Sequence, residues 1–142
     1  MVIRRAMEAD IPEVVEVENC SFAVPWPDFL FKAHLPNPGF VVYEKEDRIL
    51  GYAIVSSSED RGKAHLQSIA VHRDYRRQGI ASELLEWCID LALLYGFNSM
   101  ILEVREKNMD ARLFYASNGF AVTGKVEGYY MDDNAIVMEK DI

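Results

Sequence analysis

The sequence predicts an α/β chain of the α+β kind: a mixed, mostly antiparallel sheet of about seven strands, with four helices on both faces. A run of hairpin-linked strands is followed by one β-α-β-α stretch, where a doubly wound parallel sheet would alternate throughout. Half of the 142 residues are hydrophobic, enough for a substantial core and too many for a disordered chain. The order read from the residues is β-α-α-β-β-β-α-β-α-β-β.

Met1 to Arg5 reads as a first strand carrying Val2 and Ile3. Ala6 to Cys20 places Ile11, Val14, Val15 and Val17 at helical spacing, with Asp10-Ile11-Pro12 as its start. Ser21 to Pro27 interrupts it, because two prolines around Trp26 cannot continue a helix. Phe22 and Trp26 there are either lids on the core or one wall of a substrate groove. Asp28 to Leu35 is a second short helix, and Pro36-Asn37-Pro38-Gly39 a turn. Phe40 to Tyr43 and Ile49 to Ser56 are strands around a polar turn at Glu46-Asp47-Arg48. After the loop Ser57 to Gly62, Ala64 to Val71 forms the central strand and Glu83 to Tyr95 an amphipathic helix. Ser99 to Val104 is a strand. Asn108 to Asn118 is a helix closed by Gly119 as the C′ residue, and Phe120 to Val126 and Asn134 to Glu139 end the chain as strands.

One domain over residues 1–142 is expected. No apolar run approaches the roughly 18 residues of a membrane span, and no signal-peptide core follows Arg4 and Arg5. The expectation is a cytoplasmic protein without membrane partners. Cys20 and Cys88 are isolated, with no histidine at metal spacing, so packing roles and no metal are expected. A formal net charge of −8 argues against nucleic acid as a partner. It also throws Arg61, Lys63, Arg73, Arg76 and Arg77 into relief: an acidic chain with one basic patch suits an anionic ligand there.

That patch sits where a strand turns into a helix, at Val71-His72-Arg73-Asp74-Tyr75-Arg76-Arg77-Gln78-Gly79-Ile80-Ala81-Ser82. Helix N-termini present N–H groups and a positive dipole end to anions. Gly79 allows close backbone approach, and the arginines can pair with phosphate oxygens. A second stretch, Leu102-Glu103-Val104-Arg105, puts a carboxylate in an apolar strand, facing away from Leu102 and Val104. Such a group has either an ion-pair partner or a task as general base. Asn108 and Tyr115, seven apart, share a helix face across the small Ala111.

The spacing Arg76-x-x-Gly79-x-Ala81 resembles the Q/R-x-x-G-x-G/A signature of the GNAT superfamily of N-acetyltransferases. With Ser68-Ile69-Ala70-Val71, Leu102-Glu103-Val104-Arg105, Asn108, Leu113-Phe114-Tyr115 and Gly119-Phe120, the chain is similar to the RimI-type enzymes, which acetylate protein N-termini. The match is dense over residues 64–139 and follows the first half in outline; position 81 is Ala rather than Gly.

The resemblance implies the GNAT fold and acetyl-CoA as co-substrate. Ile69, Ala70 and Val71 would offer backbone bonds to the pantetheine arm. Arg76, Arg77, Gln78, Gly79, Ile80, Ala81 and Ser82 would form the pyrophosphate turn, and Asn108 would bind the cofactor further along. Glu103 would be general base and Tyr115 general acid. His65, on the strand face of Ile69 and Val71, matches a histidine that assists as base in some archaeal relatives and ranks second to Glu103. Tyr130, of the pair Tyr129-Tyr130, would join Phe22 and Trp26 at the acceptor, and strand alternation would let only one of the pair face it.

The chemistry agrees. An α-amine titrates near 7.7–8.0 against about 10.4 for lysine, so a carboxylate suffices to take its proton. A tyrosine near 10 is a reasonable donor to a thiolate whose thiol titrates near 8.5. The implied acceptor is a protein N-terminus, a ribosomal protein among the candidates. A small-amine acetyltransferase and a non-catalytic acyl-CoA sensor are the alternatives.

Overall fold

In the computed structural model, which describes Met1–Ile142, the strands and α-helices follow the predicted order. They are β1 (Val2–Arg5), α1 (Ile11–Asn19), α2 (Asp28–Ala33), β2 (Phe40–Lys45), β3 (Arg48–Ser57), β4 (Lys63–Val71), α3 (Ile80–Leu94), β5 (Ser99–Arg105), α4 (Met109–Ser117), β6 (Ala121–Val126) and β7 (Ala135–Asp141). The seven strands hydrogen-bond in the order β1-β2-β3-β4-β5-β7-β6. β4 and β5 run parallel, while β1–β2, β2–β3, β5–β7 and β6–β7 are antiparallel. The chain divides into two compact units, one of Met1–Ser56 with Leu66–Leu91, the other of Ser57–His65 with Ala92–Ile142.

In the first unit, apolar positions at helical and strand spacing close one core. Val14 and Val17 of α1, Phe31 of α2, Phe40 and Val42 of β2, and Tyr52 and Ile54 of β3 are fully buried. The rings of Phe31 and Tyr52 meet edge to face at 5.3 Å, an arrangement that adds to the area they bury. α1 begins at Ile11 rather than Ala6, because Glu8–Asp10 closes a 3-10 turn first. Asp10 fixes that start: its carboxylate accepts the Met7 N–H at 2.8 Å and a forked pair from Arg4 at 2.7 and 2.9 Å. The β2–β3 hairpin is tighter than predicted. Glu46 and Asp47 take positive φ, 53° and 62°, as a two-residue turn of matching twist requires, so Arg48 pairs with Lys45 inside the ladder.

In the second unit, β5 alternates as its sequence predicts. Met100, Leu102 and Val104 are buried, while Ile101, Glu103 and Arg105 keep partial exposure. β7 pairs along its full length, from Ser99 opposite Asp141 to Arg105 opposite Ala135. Lys63 is tied to Glu139 at 3.0 Å, so it does not join a free basic patch. α4 is closed at both ends by its own sequence. Asn108 caps the start, its Oδ1 accepting the Ala111 N–H at 3.1 Å. At the other end Gly119, φ 91°, turns the chain left-handed; its N–H reaches Ala116 O at 3.1 Å and the Phe120 N–H reaches Tyr115 O at 3.0 Å. No helix is long and apolar enough to cross a membrane.

Candidate active site

The turn after β4 belongs to the first unit. His72 Nδ1 accepts the Asp74 N–H at 3.2 Å and so caps a 3-10 turn, Arg73–Tyr75, that residue spacing does not foresee. Arg77 and Gly79 then take positive φ, 63° and 80°. α3 starts at Ile80, earlier than the predicted Glu83, because the Gly79 carbonyl already accepts the Glu83 N–H at 3.1 Å. The N–H groups ahead of Glu83 have no partner within the helix, which is the condition for holding an anion. A Cβ built on Gly79 would meet no heavy atom within 4 Å, so the turn opens onto space a bulky anion can enter. Arg77, Gln78 and Ser82 are exposed there, Ala81 is partly exposed, and buried Ile80 has only its backbone to offer. These residues fit the pyrophosphate of a coenzyme A thioester.

Arg76 behaves differently. Its Nε donates to Val71 O at 3.2 Å, and its Nη2 to Cys20 O at 3.2 Å and Ser21 Oγ at 3.3 Å. Its guanidinium is therefore committed to the protein, and Arg77 is the arginine of the pair without such bonds. Ile69 is partly exposed and Ala70 and Val71 buried at the end of β4, beyond Lys63, Ala64 and His65, the residues that pair with β5.

Phe22 and Trp26 pack, partly buried, against the first unit's core. The Trp26 ring lies tilted on Phe31 at 5.6 Å and stacked on His34 at 5.7 Å. Its backbone N–H donates to Glu18 Oε2 at 2.9 Å, and the Tyr52 hydroxyl donates to Glu18 Oε1. Ser68 Oγ lies 2.7 Å from that hydroxyl. Burial pushes the Glu18 carboxyl up, against these two donors. Sequence reasoning passed over Glu18, although a carboxylate four residues after Val14, on a helix's apolar stripe, is the signal for it.

The second unit holds the catalytic candidates His65 and Glu103 together. The parallel register sets His65 opposite Ile101, so Glu103, two residues further, shares its face. His65 Nε2 lies 2.8 Å from Glu103 Oε1, and the Tyr129 hydroxyl donates to the same oxygen at 3.3 Å. Both bonds end on Oε1. The Glu103 side chain is 17 % exposed. The His65 bond holds its carboxyl below the usual range despite burial, with a smaller contribution from Tyr129. Burial and then the Glu103 charge push the Tyr129 hydroxyl up, so it stays a donor.

Tyr129 and Tyr130 do not lie on a strand, so the alternation argument fails for them. They sit in the β6–β7 loop, their rings edge-on at 5.0 Å. The loop is pinned to the residues ending β5 and following it: Arg105 pairs with Asp132, and the Lys107 N–H donates to Asp133 Oδ2 at 2.9 Å. The Arg105 guanidinium stands 4.3 Å from the centre of the Tyr130 ring. The Tyr130 hydroxyl is pushed up to about 12, chiefly by burial. Tyr129 is the tyrosine of the pair bonded to the Glu103 carboxylate.

Tyr115 lies buried on α4, its ring 5.7 Å from Phe120 and 5.3 Å from Phe114. Asn108 is the cap of that helix rather than a member of it, which leaves its Nδ2 as its donor group.

The class of protein follows from the match to known families: an acetyltransferase. The chain belongs to the acetyltransferase (GNAT) family, whose pattern it matches over residues 11–120. It is 34% identical to an uncharacterized N-acetyltransferase of Methanocaldococcus jannaschii, over 99% of this chain and 91% of that one. It is 31% identical to a ribosomal protein bS18-alanine N-acetyltransferase of Haemophilus ducreyi, over 96% and 97%. The crystal structure of Ard1 from Thermoplasma volcanium superposes with a TM-score of 0.93 at 28% identity, covering 99% of this chain and 97% of that one.

Proposed function

We propose that the chain transfers the acetyl group of acetyl-CoA to the N-terminal α-amine of a protein, a ribosomal protein being the first candidate. The observation that carries this reading is Glu103, half-buried, bonded twice through Oε1 and held toward its ionised form by His65. Similarity to the Haemophilus ducreyi enzyme supports the α-amine as acceptor.

Acetyl-CoA supplies an activated acyl carbon and a thiolate leaving group. Arg77, Gln78, Gly79, Ile80, Ala81 and Ser82 hold its pyrophosphate with backbone N–H groups and the Arg77 charge. Ile69, Ala70 and Val71 bond the pantetheine arm, and Asn108 Nδ2 donates to it. Glu103 Oε2 takes the proton of the amine as nitrogen bonds to the acyl carbon, directly or through a water. His65 and Tyr129 keep Glu103 Oε1 occupied, which keeps the carboxylate ionised and aimed. Tyr115 gives its proton to the sulfur as the carbon–sulfur bond breaks. Phe22, Trp26 and Tyr130 are the residues proposed to recognise the acceptor.

The test is acetyl transfer from acetyl-CoA to short peptides that differ at the first residue, each with a free and a blocked α-amine, beside a lysine control. Transfer that vanishes on blocking supports the reading. Transfer to small amines alone moves the assignment to a small-amine enzyme, and binding without any transfer moves it to an acyl-CoA sensor.

A further inference from the structure

Arg76 belongs by sequence to the anion turn and by its bonds to somewhere else. Its backbone immediately precedes Arg77, whose positive φ opens the turn. Its guanidinium reaches back to the start of Cys20–Trp26, the segment that carries Phe22 and Trp26. The two are also joined at Val71, whose carbonyl accepts Arg76 Nε at 3.2 Å and Ser21 Oγ at 3.5 Å. At its far end the segment is fixed by a different element, through the Trp26 N–H on Glu18 of α1. Between these anchors Ala23 and Val24 are exposed and no regular structure forms. One end of the segment is thus tied directly to the turn.

A guanidinium is the group suited to such a link: its donors lie in a rigid fork, so one side chain bonds several carbonyls at once. A ligand that orders the backbone from Arg77 onward narrows the conformations of Arg76, and with them those of Cys20 and Ser21. By linkage, order gained at one site is order the second ligand need not supply, and the effect is reciprocal.

We propose that Arg76 is a positioning residue that passes occupancy of the turn after β4 to the segment Cys20–Trp26, so that coenzyme A and the acceptor strengthen each other's binding. The inference rests on the reading of that turn as the coenzyme A site. It separates the adjacent arginines by role: Arg77 meets the anion, and Arg76 carries the consequence to Trp26.

The chain has two tryptophans, so Trp87→Phe leaves Trp26 as the only indole reporter. Coenzyme A itself is titrated into this protein, with affinity measured by calorimetry and Trp26 emission followed in parallel. Coenzyme A should bind and shift Trp26 emission. With Arg76→Ala added, coenzyme A should still bind, within about fivefold, while the emission response is lost. A free-amine peptide beginning with alanine should bind on the order of tenfold more tightly with coenzyme A present, and that gain should disappear in the same variant. Ser21→Ala, which removes one acceptor of Arg76 and leaves the turn alone, should halve the response; it serves if Arg76→Ala does not fold. Binding without any change at Trp26, or a full response in the Arg76 and Ser21 variants, overturns the link and leaves the functional reading standing. No binding of coenzyme A to the parent protein overturns both.

Discussion

His65 and Glu103, 38 residues apart in sequence, share one hydrogen bond of 2.8 Å across the parallel pair β4–β5. That bond is the largest cause of the lowered Glu103 pKa. A carboxylate half out of water would otherwise rise, so the histidine decides the charge state of the proposed base. Glu103→Gln keeps the shape and removes the basicity. It should lower kcat by roughly 10²–10⁴-fold while leaving the affinity for acetyl-CoA unchanged. Unchanged turnover would take the base assignment away from Glu103.

The same bond sets a pH dependence. With the carboxyl depressed by the His65 bond, the ionised form of Glu103 persists to lower pH than for an ordinary glutamate. His65→Gln removes the main cause, and burial then raises the carboxyl. The acid limb should move upward, so the variant loses more activity at pH 5 than at pH 8. A pH–rate profile checks this, and an unmoved or lower limb would contradict it.

Tyr115→Phe should reduce turnover with little effect on acetyl-CoA affinity, since the hydroxyl acts only as sulfur leaves. The ring contacts with Phe114 and Phe120 survive the change. A thioester whose thiol is more acidic should restore part of the loss, because it needs the proton less.

Arg77→Ala should weaken coenzyme A binding in a salt-dependent way, the loss shrinking as ionic strength rises. Gly79→Ala acts through the backbone instead: at φ 80° an alanine is strained by roughly 1–2 kcal/mol. Its added methyl also enters the space the anion needs. Calorimetric titrations at two salt concentrations should show dependence on salt for the first deficit and none for the second.

Glu18 gives a stability prediction of opposite sign to Glu103. Its folded-state pKa is raised by burial, so between the unfolded value and the folded one the native state holds the extra proton. Stability is then fullest below the unfolded value, about 4.3, and falls as pH rises through the folded one. Glu18→Gln, which cannot ionise, should flatten that fall. Denaturant midpoints from pH 4 to 8 measure it, and a slope equal to the parent's would contradict the assignment.

The residues that sequence alone could place are those whose reason is local. Glu103 is legible because alternation on β5 isolates a carboxylate, and Gly119 because a helix needs a left-handed exit. The basic turn at Arg77 and Gly79 follows from a strand, arginines and small residues in succession, while the α3 start lies three residues before the predicted Glu83. What stayed hidden depends on partners far away in sequence. Nothing near Tyr129 announces that its hydroxyl meets Glu103, since the loop that carries it is shaped by Asp132 and Asp133 on Arg105 and Lys107. Arg76 and Arg77 look interchangeable as letters, and only the carbonyls of Cys20 and Val71 tell them apart. Glu18 escaped because its partners come from β3 and from a proline-flanked loop.

The end of α4 couples chain length to the placement of Tyr115. Tyr115 is the residue whose carbonyl receives the Phe120 N–H, and Phe120 packs back onto its ring. The phenol is therefore indexed to the helix terminus by a fixed count of residues. An insertion of one residue between Ser117 and Phe120 would break that index, though the identity of the tyrosine is unchanged. Relatives of this chain should tolerate many substitutions along Asn118–Gly119 that keep a left-handed residue, and very few insertions or deletions.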